Sequence, residues 1–168
     1  MAIADSTATT HLPPLGAHER DEIGAQLQAT LLELVDLSLL GKQLHWSVSG
    51  PLFVPLHRQL DELIDSWREL ADTVAERAVA IGVWPDGQAD AVAARTEHLR
   101  IDPGAVEDQI VVRELVRCLS EAGERTRTRM DRLGELDAAS QDVLIDVVRA
   151  LEEQLWMVRA QLPQVRGG

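Results

Sequence analysis

Apolar residues recur along most of this chain at spacings of three and four, the period of an amphipathic α-helix. The first such stretch runs from about Ala17 to Val48. One stripe along it consists of Ile23, Leu27, Leu31, Leu34, Ser38 and Gly41, and a second consists of Leu32, Val35 and Leu39. A helix with two apolar stripes buries more than one side, so we expect this helix to be enclosed on two sides.

A second helix is predicted from Leu52 to Ile81, after the helix-breaking sequence Ser49-Gly50-Pro51. Its core stripe consists of Leu56, Leu60, Leu63, Trp67, Leu70, Val74 and Ile81. On the flank of this stripe lie Ile64, Ala71 and Ala75, which we expect to pack against a partner subunit. The short link between the two helices predicts antiparallel neighbours.

The link from Gly82 to Asp102 is long enough to cross a helical bundle, and Ala89 to His98 within it has the pattern of a short helix. A third long helix is predicted to begin with Asp102 as N-cap and Pro103 in the first turn, and to end near Leu133. Its predicted inward residues are Val106, Ile110, Leu115, Cys118, Leu119 and Ala122. Because a crossover lies between them, the second and third long helices are expected to run parallel.

A fourth long helix is predicted from Ala138 to Leu162, with Val143, Val147, Leu151, Leu155 and Val158 facing inward. The pattern therefore predicts an all-α four-helix bundle over residues 17–162, with a long crossover that carries a short helix. Residues 1–16 have the composition of a flexible N-terminal tail, and residues 163–168 form a short C-terminal tail.

Histidine and carboxylate residues follow one face of the second helix. His57 and Asp61 are four residues apart, as are Asp72 and Glu76, and all four fall on one stripe. His45 lies in the last turn of the first helix. Imidazole and carboxylate form a ligand set suited to iron, manganese or zinc.

One helix cannot bring both pairs to one metal ion, because about 16 Å of helix rise separates them. A second copy of the helix can bring the two pairs together if it lies antiparallel to the first across a two-fold axis near Ser66 and Trp67. His57 and Asp61 of one chain then face Asp72 and Glu76 of the partner subunit, and the symmetry creates two identical sites.

These motifs resemble those of the Dps family, the ferritin-like DNA-binding proteins from starved cells. The resemblance is carried by Lys42-Gln43-Leu44-His45-Trp46, by His57 and Asp61, and by Asp72-Thr73-Val74-Ala75-Glu76-Arg77. It implies a ferritin-like fold and an inter-subunit ferroxidase site with ligands His45, His57, Asp61, Asp72 and Glu76. It further implies hydrogen peroxide as oxidant and a hollow dodecamer that stores ferric oxide.

Several residues are candidates for supporting roles around this site. Lys42 and Asp65 are placed to orient a carboxylate, and Trp46 and Trp67 are placed either to quench radicals or to pack an interface. Family members line a three-fold pore with acidic residues near the start of the fourth helix. The corresponding candidates are Glu135, Asp137, Asp142 and Asp146, although the helix dipole also favours acidic residues there.

Composition bears on the partners of the protein. The formal net charge is −12, and the N-terminal tail carries no lysine or arginine. Because DNA affinity comes largely from such residues, we expect weak or no DNA binding. The alternative is a DNA-compacting shell with little catalytic role, which would have to use the run Arg125, Arg127, Arg129 and Arg132. We expect a salt-bridged face there instead.

Three further expectations concern chemistry and location. A conventional di-iron bundle requires Glu-x-x-His motifs, and the sequence contains none. The single cysteine, Cys118, and the lack of a signal peptide or membrane-length apolar run predict a cytoplasmic protein, with nucleoid association left open. His11 and His18 in or near the tail are either an accessory metal site or solvated side chains.

Overall fold

The computed structural model describes residues 12–94 and 101–163. Its helices are α1 (Ala17–Ser47), α2 (Phe53–Ala80), the short α3 (Ala89–Ala93), α4 (Asp108–Gly134) and α5 (Ala138–Arg159), and its strands are β1 (Val48–Ser49) and β2 (Val106–Glu107). The four long helices form a bundle in which α1 packs along α2 and α4 along α5. The predicted all-α four-helix bundle with a crossover is confirmed.

The strands explain how the crossover is fixed. β1 follows α1 directly and pairs in parallel with β2, which directly precedes α4. The end of α1 and the start of α4 therefore lie together, and α4 runs parallel to α2, as the length of the link predicted. The predicted end of the short helix, His98, lies outside the described residues.

The predicted start of the third long helix was wrong. Residues 102–105 lie in bends and irregular backbone, and α4 begins only at Asp108. The pairing of β2 with β1 keeps Val106 extended, which overrides the local Asp-Pro start signal. Ile110, predicted to face inward, is 40% exposed, while Val111 and Val112 are fully buried in its place.

The core joins α1 and α2 at unusually close range. All six residues of the first predicted stripe of α1 are buried. A Cβ atom at Gly41 would lie only 2.7 Å from Cζ3 of Trp67, so the missing side chain lets the two helices approach. Trp67 is fully buried, and its indole N–H donates to Gln154 Oε1 on α5 at 2.8 Å.

This close approach corrects one prediction about the partner subunit. Ile64 and Ala71 are only 1% and 7% exposed, because they pack inside their own bundle against α1 and its neighbours. They are therefore not free to contact a partner. On the second stripe of α1, Leu39 is 59% exposed in the single chain, whereas Leu32 and Val35 are half-buried, so the chain's own helices enclose that stripe only in part.

The apolar character of α1 also exceeds the expectation from the sequence. By length and mean hydropathy, α1 is the one described helix that would be able to cross a membrane, whereas the sequence alone predicts no such segment. Half of its most apolar window is buried within the bundle. The two apolar stripes raise its mean hydropathy, as in a helix that packs on more than one side.

Candidate metal centre

His45, His57 and Asp61 converge where α1 and α2 meet. One ligand atom from each of the three residues lies within 4.8 Å of the others. The two imidazole rings are stacked, with centroids 3.6 Å apart. His45 comes from the last turn of α1 and His57 from the start of α2, so the turn between the helices brings them together.

One hydrogen bond fixes the orientation of the His57 ring. Its Nδ1 lies 3.0 Å from the backbone carbonyl of His45. Because a carbonyl only accepts, Nδ1 is the donor, and in the neutral ring this leaves the lone pair on Nε2. A backbone carbonyl behind a ligating histidine is a common way to set the tautomer that binds a metal.

His45 and Asp61 contact one another directly. His45 Nε2 lies 3.0 Å from Asp61 Oδ2, and Nδ1 of the same ring is buried with no hydrogen-bond partner among the described residues. The ring is only 8% exposed. A buried polar atom without a partner is uncommon. The His45 atom that faces Asp61 and belongs to the cluster is Nε2.

Lys42 holds the second oxygen of the Asp61 carboxylate. Its Nζ donates to Asp61 Oδ1 at 2.7 Å. The pKa of Asp61 lies below its usual range, chiefly because of this hydrogen bond and also because of the contact with His45. Asp61 is therefore ionised at neutral pH, which is the state that binds a cation.

Asp72 and Glu76 do not join this cluster within the chain. Both are exposed on α2, further along the same helix. Asp65, between the two pairs, is exposed as well. The chain thus carries three of the five predicted ligands in a preformed cluster and the other two on an open helix face.

The aromatic candidates differ from one another in their environment. Trp46, next to His45, is 70% exposed, whereas Trp67 is part of the bundle core. Sequence reasoning missed Phe53, whose ring centroid lies 5.0 Å from that of His57. Its position four residues before His57 on the same helix would have indicated this contact.

The predicted pore residues have different surroundings. Asp142 and Asp146 are exposed on α5, with Arg149 3.3 Å from Asp146, and Glu135 accepts a hydrogen bond from Arg132 at 2.7 Å. Asp137 is instead the N-cap of α5 and accepts from the backbone N–H of Ser140 at 2.9 Å and from Arg77 at 2.7 Å. This arrangement favours a capping role for Asp137.

Electrostatics agree with that role for Asp137. Burial raises the pKa of its carboxyl, but the hydrogen bonds from Ser140 and Arg77 outweigh burial, so the pKa lies below its usual range. The ionised Asp137 carboxylate therefore stabilises the folded protein at pH values above the pKa of this carboxyl in the unfolded chain. This contribution to the free energy of unfolding is lost as the pH falls through the lower pKa of the folded state.

The arginine run on α4 is ion-paired throughout. Arg125 and Arg129 both contact the buried Glu33, with N–O distances of 2.6 Å, while Arg127 pairs with Glu152 and Arg132 with Glu22. The expected salt-bridged face is confirmed. Of the two N-terminal histidines, His18 is exposed in the first turn of α1, and His11 lies outside the described residues.

Comparison with known proteins places these features in a family. Residues 24–167 match the ferritin-like domain family. The DNA protection during starvation protein of Mycolicibacterium smegmatis is 33% identical over 158 residues, which cover 93% of this chain and 85% of that protein. DNA protection during starvation protein 2 of Deinococcus radiodurans is 32% identical over 91% of this chain, which spans 64% of that protein's length.

Solved structures agree with the sequence relatives. Mycobacterium smegmatis Dps, in its tetragonal form, superposes with a TM-score of 0.87 at 32% identity, covering 94% of this chain and 96% of that one. Dps from Microbacterium arborescens in its high iron form gives a TM-score of 0.85 at 28% identity, covering 91% and 99%. Sequence identity, helix layout and the match to the ferritin-like domain together show that this chain belongs to the Dps group of the ferritin-like family.

Proposed function

We propose that this protein is a mini-ferritin that oxidises Fe(II), with hydrogen peroxide as oxidant, and stores the ferric product inside a shell. The observation that carries the proposal is the convergence of His45, His57 and Asp61 to within 4.8 Å. Two imidazoles and a carboxylate are a donor set suited to iron. Membership of a family whose relatives include a Dps in a high iron form supports iron as the substrate.

In this proposal each ferroxidase site is shared by two subunits. Fe(II) binds His45, His57 and Asp61 of one chain, together with Asp72 and Glu76 of the partner subunit. At His45, Nε2, which faces Asp61, would be the ligand atom for Fe(II). The exposure of Asp72 and Glu76, and their distance along the helix from the His cluster, support a site that is incomplete in one chain.

The side chains of the site supply binding and orientation, and iron supplies the electrons. Two Fe(II) ions each give one electron to hydrogen peroxide, whose O–O bond breaks, and two protons complete two molecules of water. Lys42 keeps Asp61 ionised and oriented by occupying one of its oxygens. Consuming Fe(II) and peroxide in one reaction removes both reagents that form hydroxyl radicals, which would protect the cell from oxidative damage.

The proposed assembly is a closed homo-oligomer of twelve subunits with two-fold interfaces at the ferroxidase sites. Two apolar side chains of α1 support this assembly, because Leu39, on the second stripe, and Trp46, in the last turn, are 59% and 70% exposed in the single chain. A subunit interface over these side chains would remove their apolar surface from water. The reducing cytoplasm is the proposed location, consistent with a single buried cysteine, Cys118, whose pKa burial raises to about 11.

Iron loading tests the proposed activity. Fe(II) is added anaerobically, peroxide follows, and ferric absorbance and particle mass are recorded. We expect ferric product inside a particle of about twelve subunits, and we expect Asp61→Ala to slow fast oxidation by about 100-fold or more, since losing even a partner of a ligand costs about 10–100-fold. The matched control, Glu62→Ala, removes an exposed neighbouring carboxylate and should retain the rate. A monomer, or equal rates for both variants, would refute the proposal.

We further propose that Asp142 and Asp146 line an entry path for Fe(II). Both carboxylates are exposed, with Arg149 3.3 Å from Asp146, while Glu135 and Asp137 near the same helix end are engaged by Arg132 and Arg77. Replacing Asp142 and Asp146 together with Asn should slow iron uptake several-fold and leave the assembled mass unchanged, because it removes negative charge that attracts cations. The control is the exposed Asp131→Asn. Uptake as fast as in that control would leave the helix dipole as the reason for these residues.

DNA binding is expected to be weak or absent at physiological salt. The four arginines of the α4 run are all paired with carboxylates, and the net charge is −12. Counterion release by unpaired cations supplies most of the affinity for DNA. A gel shift of the assembled protein at low salt and at about 150 mM salt measures this property. Tight, stoichiometric binding at the higher salt would favour the DNA-compacting alternative.

A further inference from the structure

The turn that brings the two histidines together is held by a residue from a distant helix. The turn between α1 and α2, residues 48–52, is followed by α2, whose N-cap Leu52 offers no side-chain cap and whose first turn has no acidic residue. The acceptor that this helix N-terminus lacks in its own sequence is supplied by Asp108, the first residue of α4. The backbone N–H of Leu52 donates to Asp108 Oδ2 at 2.7 Å.

The contact between Asp108 and the turn is close and buried. Asp108 is only 3% exposed. Gly50 adopts φ +120°, and a Cβ atom there would lie 2.7 Å from Asp108 Oδ2. Only glycine accepts both this backbone conformation and this approach of the carboxylate. The glycine at position 50 is therefore what allows the Asp108 carboxylate to pack against the turn.

The β pairing strengthens the same attachment. Val48 pairs with Val106 and Ser49 with Glu107, and the Ser49 hydroxyl donates to the carbonyl of Val106 at 3.1 Å. The turn is thus fixed along both its strand and its helix end. A negatively charged side chain at the N-terminus of α2 also complements the helix dipole.

The position of His57 depends on this attachment. His57 follows Leu52 by little more than one helical turn, and its Nδ1 must meet the His45 carbonyl, at the far side of the turn, for the ring to keep its orientation. A small rotation of the start of α2 would separate the rings, which now stack at 3.6 Å.

We propose that Asp108 is a positioning residue for the metal centre, acting through the N-terminus of α2 on His57. The inference rests on the proposed function, because the two histidines are taken as metal ligands. Asp108 itself does not touch the metal. Asn at this position keeps an oxygen that accepts from Leu52, whereas Ala removes it.

The probe is Co(II), which binds imidazole and carboxylate donors and has a visible absorption band when bound. On the assembled full-length protein, Asp108→Ala should weaken Co(II) binding by about 10-fold and change its absorption band, while Asp108→Asn should restore both. For Fe(II) oxidation, Asp108→Ala should raise KM more than it lowers kcat. Gly50→Ala leaves Asp108 in place but displaces its carboxylate, so it should weaken Co(II) binding as Asp108→Ala does. It tests the inference independently if Asp108→Ala fails to fold.

The matched control is Gln28→Ala. Gln28 also ties a distant loop by side chain-to-backbone bonds, to Asp86 at 2.6 and 2.8 Å, but on the other half of α1. It should lower thermal stability and leave Co(II) affinity intact. Suppose that the wild-type protein binds Co(II). If Asp108→Ala then binds Co(II) as tightly as the wild-type protein, or if Gln28→Ala loses as much Co(II) affinity as Asp108→Ala, the inference is overturned. No Co(II) binding by the wild-type protein would instead refute the metal centre, and the inference with it.

Discussion

Mixed shells of two inactive variants are expected to recover about a quarter of the wild-type rate of Fe(II) oxidation. One variant carries His57→Ala and Asp61→Ala, and the other carries Asp72→Ala and Glu76→Ala. Each alone forms a shell in which every shared site lacks two of its five ligands. At a two-fold interface between the two variants, one site receives both substituted ligand pairs. The other site receives the intact His57 and Asp61 of one chain and the intact Asp72 and Glu76 of its partner. Random mixing makes about half of the interfaces mixed, and half of their sites are whole.

Two controls make this result specific to co-assembly. Shells of the two variants that are assembled separately and then combined should stay inactive. A chain with all four residues replaced, co-assembled with either parent, should also give no whole site. If each site lay within one chain, no mixture would exceed its parents, and the shared-site proposal would fail.

Trp67→Ala is expected to give the largest loss of stability among single substitutions of the candidate residues. Trp67 is fully buried between α1 and α5, and removing so large a side chain costs about 3–5 kcal/mol. The substitution also leaves Gln154 Oε1 without its donor. For a chain of this length, we expect Tm to fall by on the order of 10 °C, measured at equal subunit concentration.

A more conservative substitution separates packing from hydrogen bonding. Trp67→Phe keeps an aromatic ring in the core but removes the N–H that Gln154 accepts, at a cost of about 1–3 kcal/mol. Its rate of Fe(II) oxidation should stay close to wild type in assembled shells. A Trp67→Phe shell with unchanged Tm but increased radical damage would instead favour the radical-quenching role.

The sequence predicted the bundle well because its main signals are local and strong. The 3.6-residue period located α1 and α2 to within a residue or two, and the Ser-Gly-Pro break located the turn between them. The His45, His57 and Asp61 spacing predicted a cluster that the fold then brings together. Lys42 lies on Asp61, as its position one turn before His45 suggested.

What the sequence missed depends on contacts between distant segments. Asp102-Pro103 has the chemistry of a helix start, yet the pairing of β2 with β1 delays α4 to Asp108. Ile64 lies on the flank of the α2 stripe, but the approach of α1 at Gly41 buries it. No local pattern reports either contact, and the same holds for the capping of α2 by Asp108.

The most direct test of the shared metal centre is the position of iron in the assembled protein. Crystals soaked anaerobically in Fe(II) would be measured at the iron absorption edge. We expect an anomalous peak about 2 Å from ligand atoms of His57 and Asp61 and of Asp72 or Glu76 of the partner subunit, at every two-fold interface. A peak held by residues of one chain alone, or no peak between the subunits, would contradict the account.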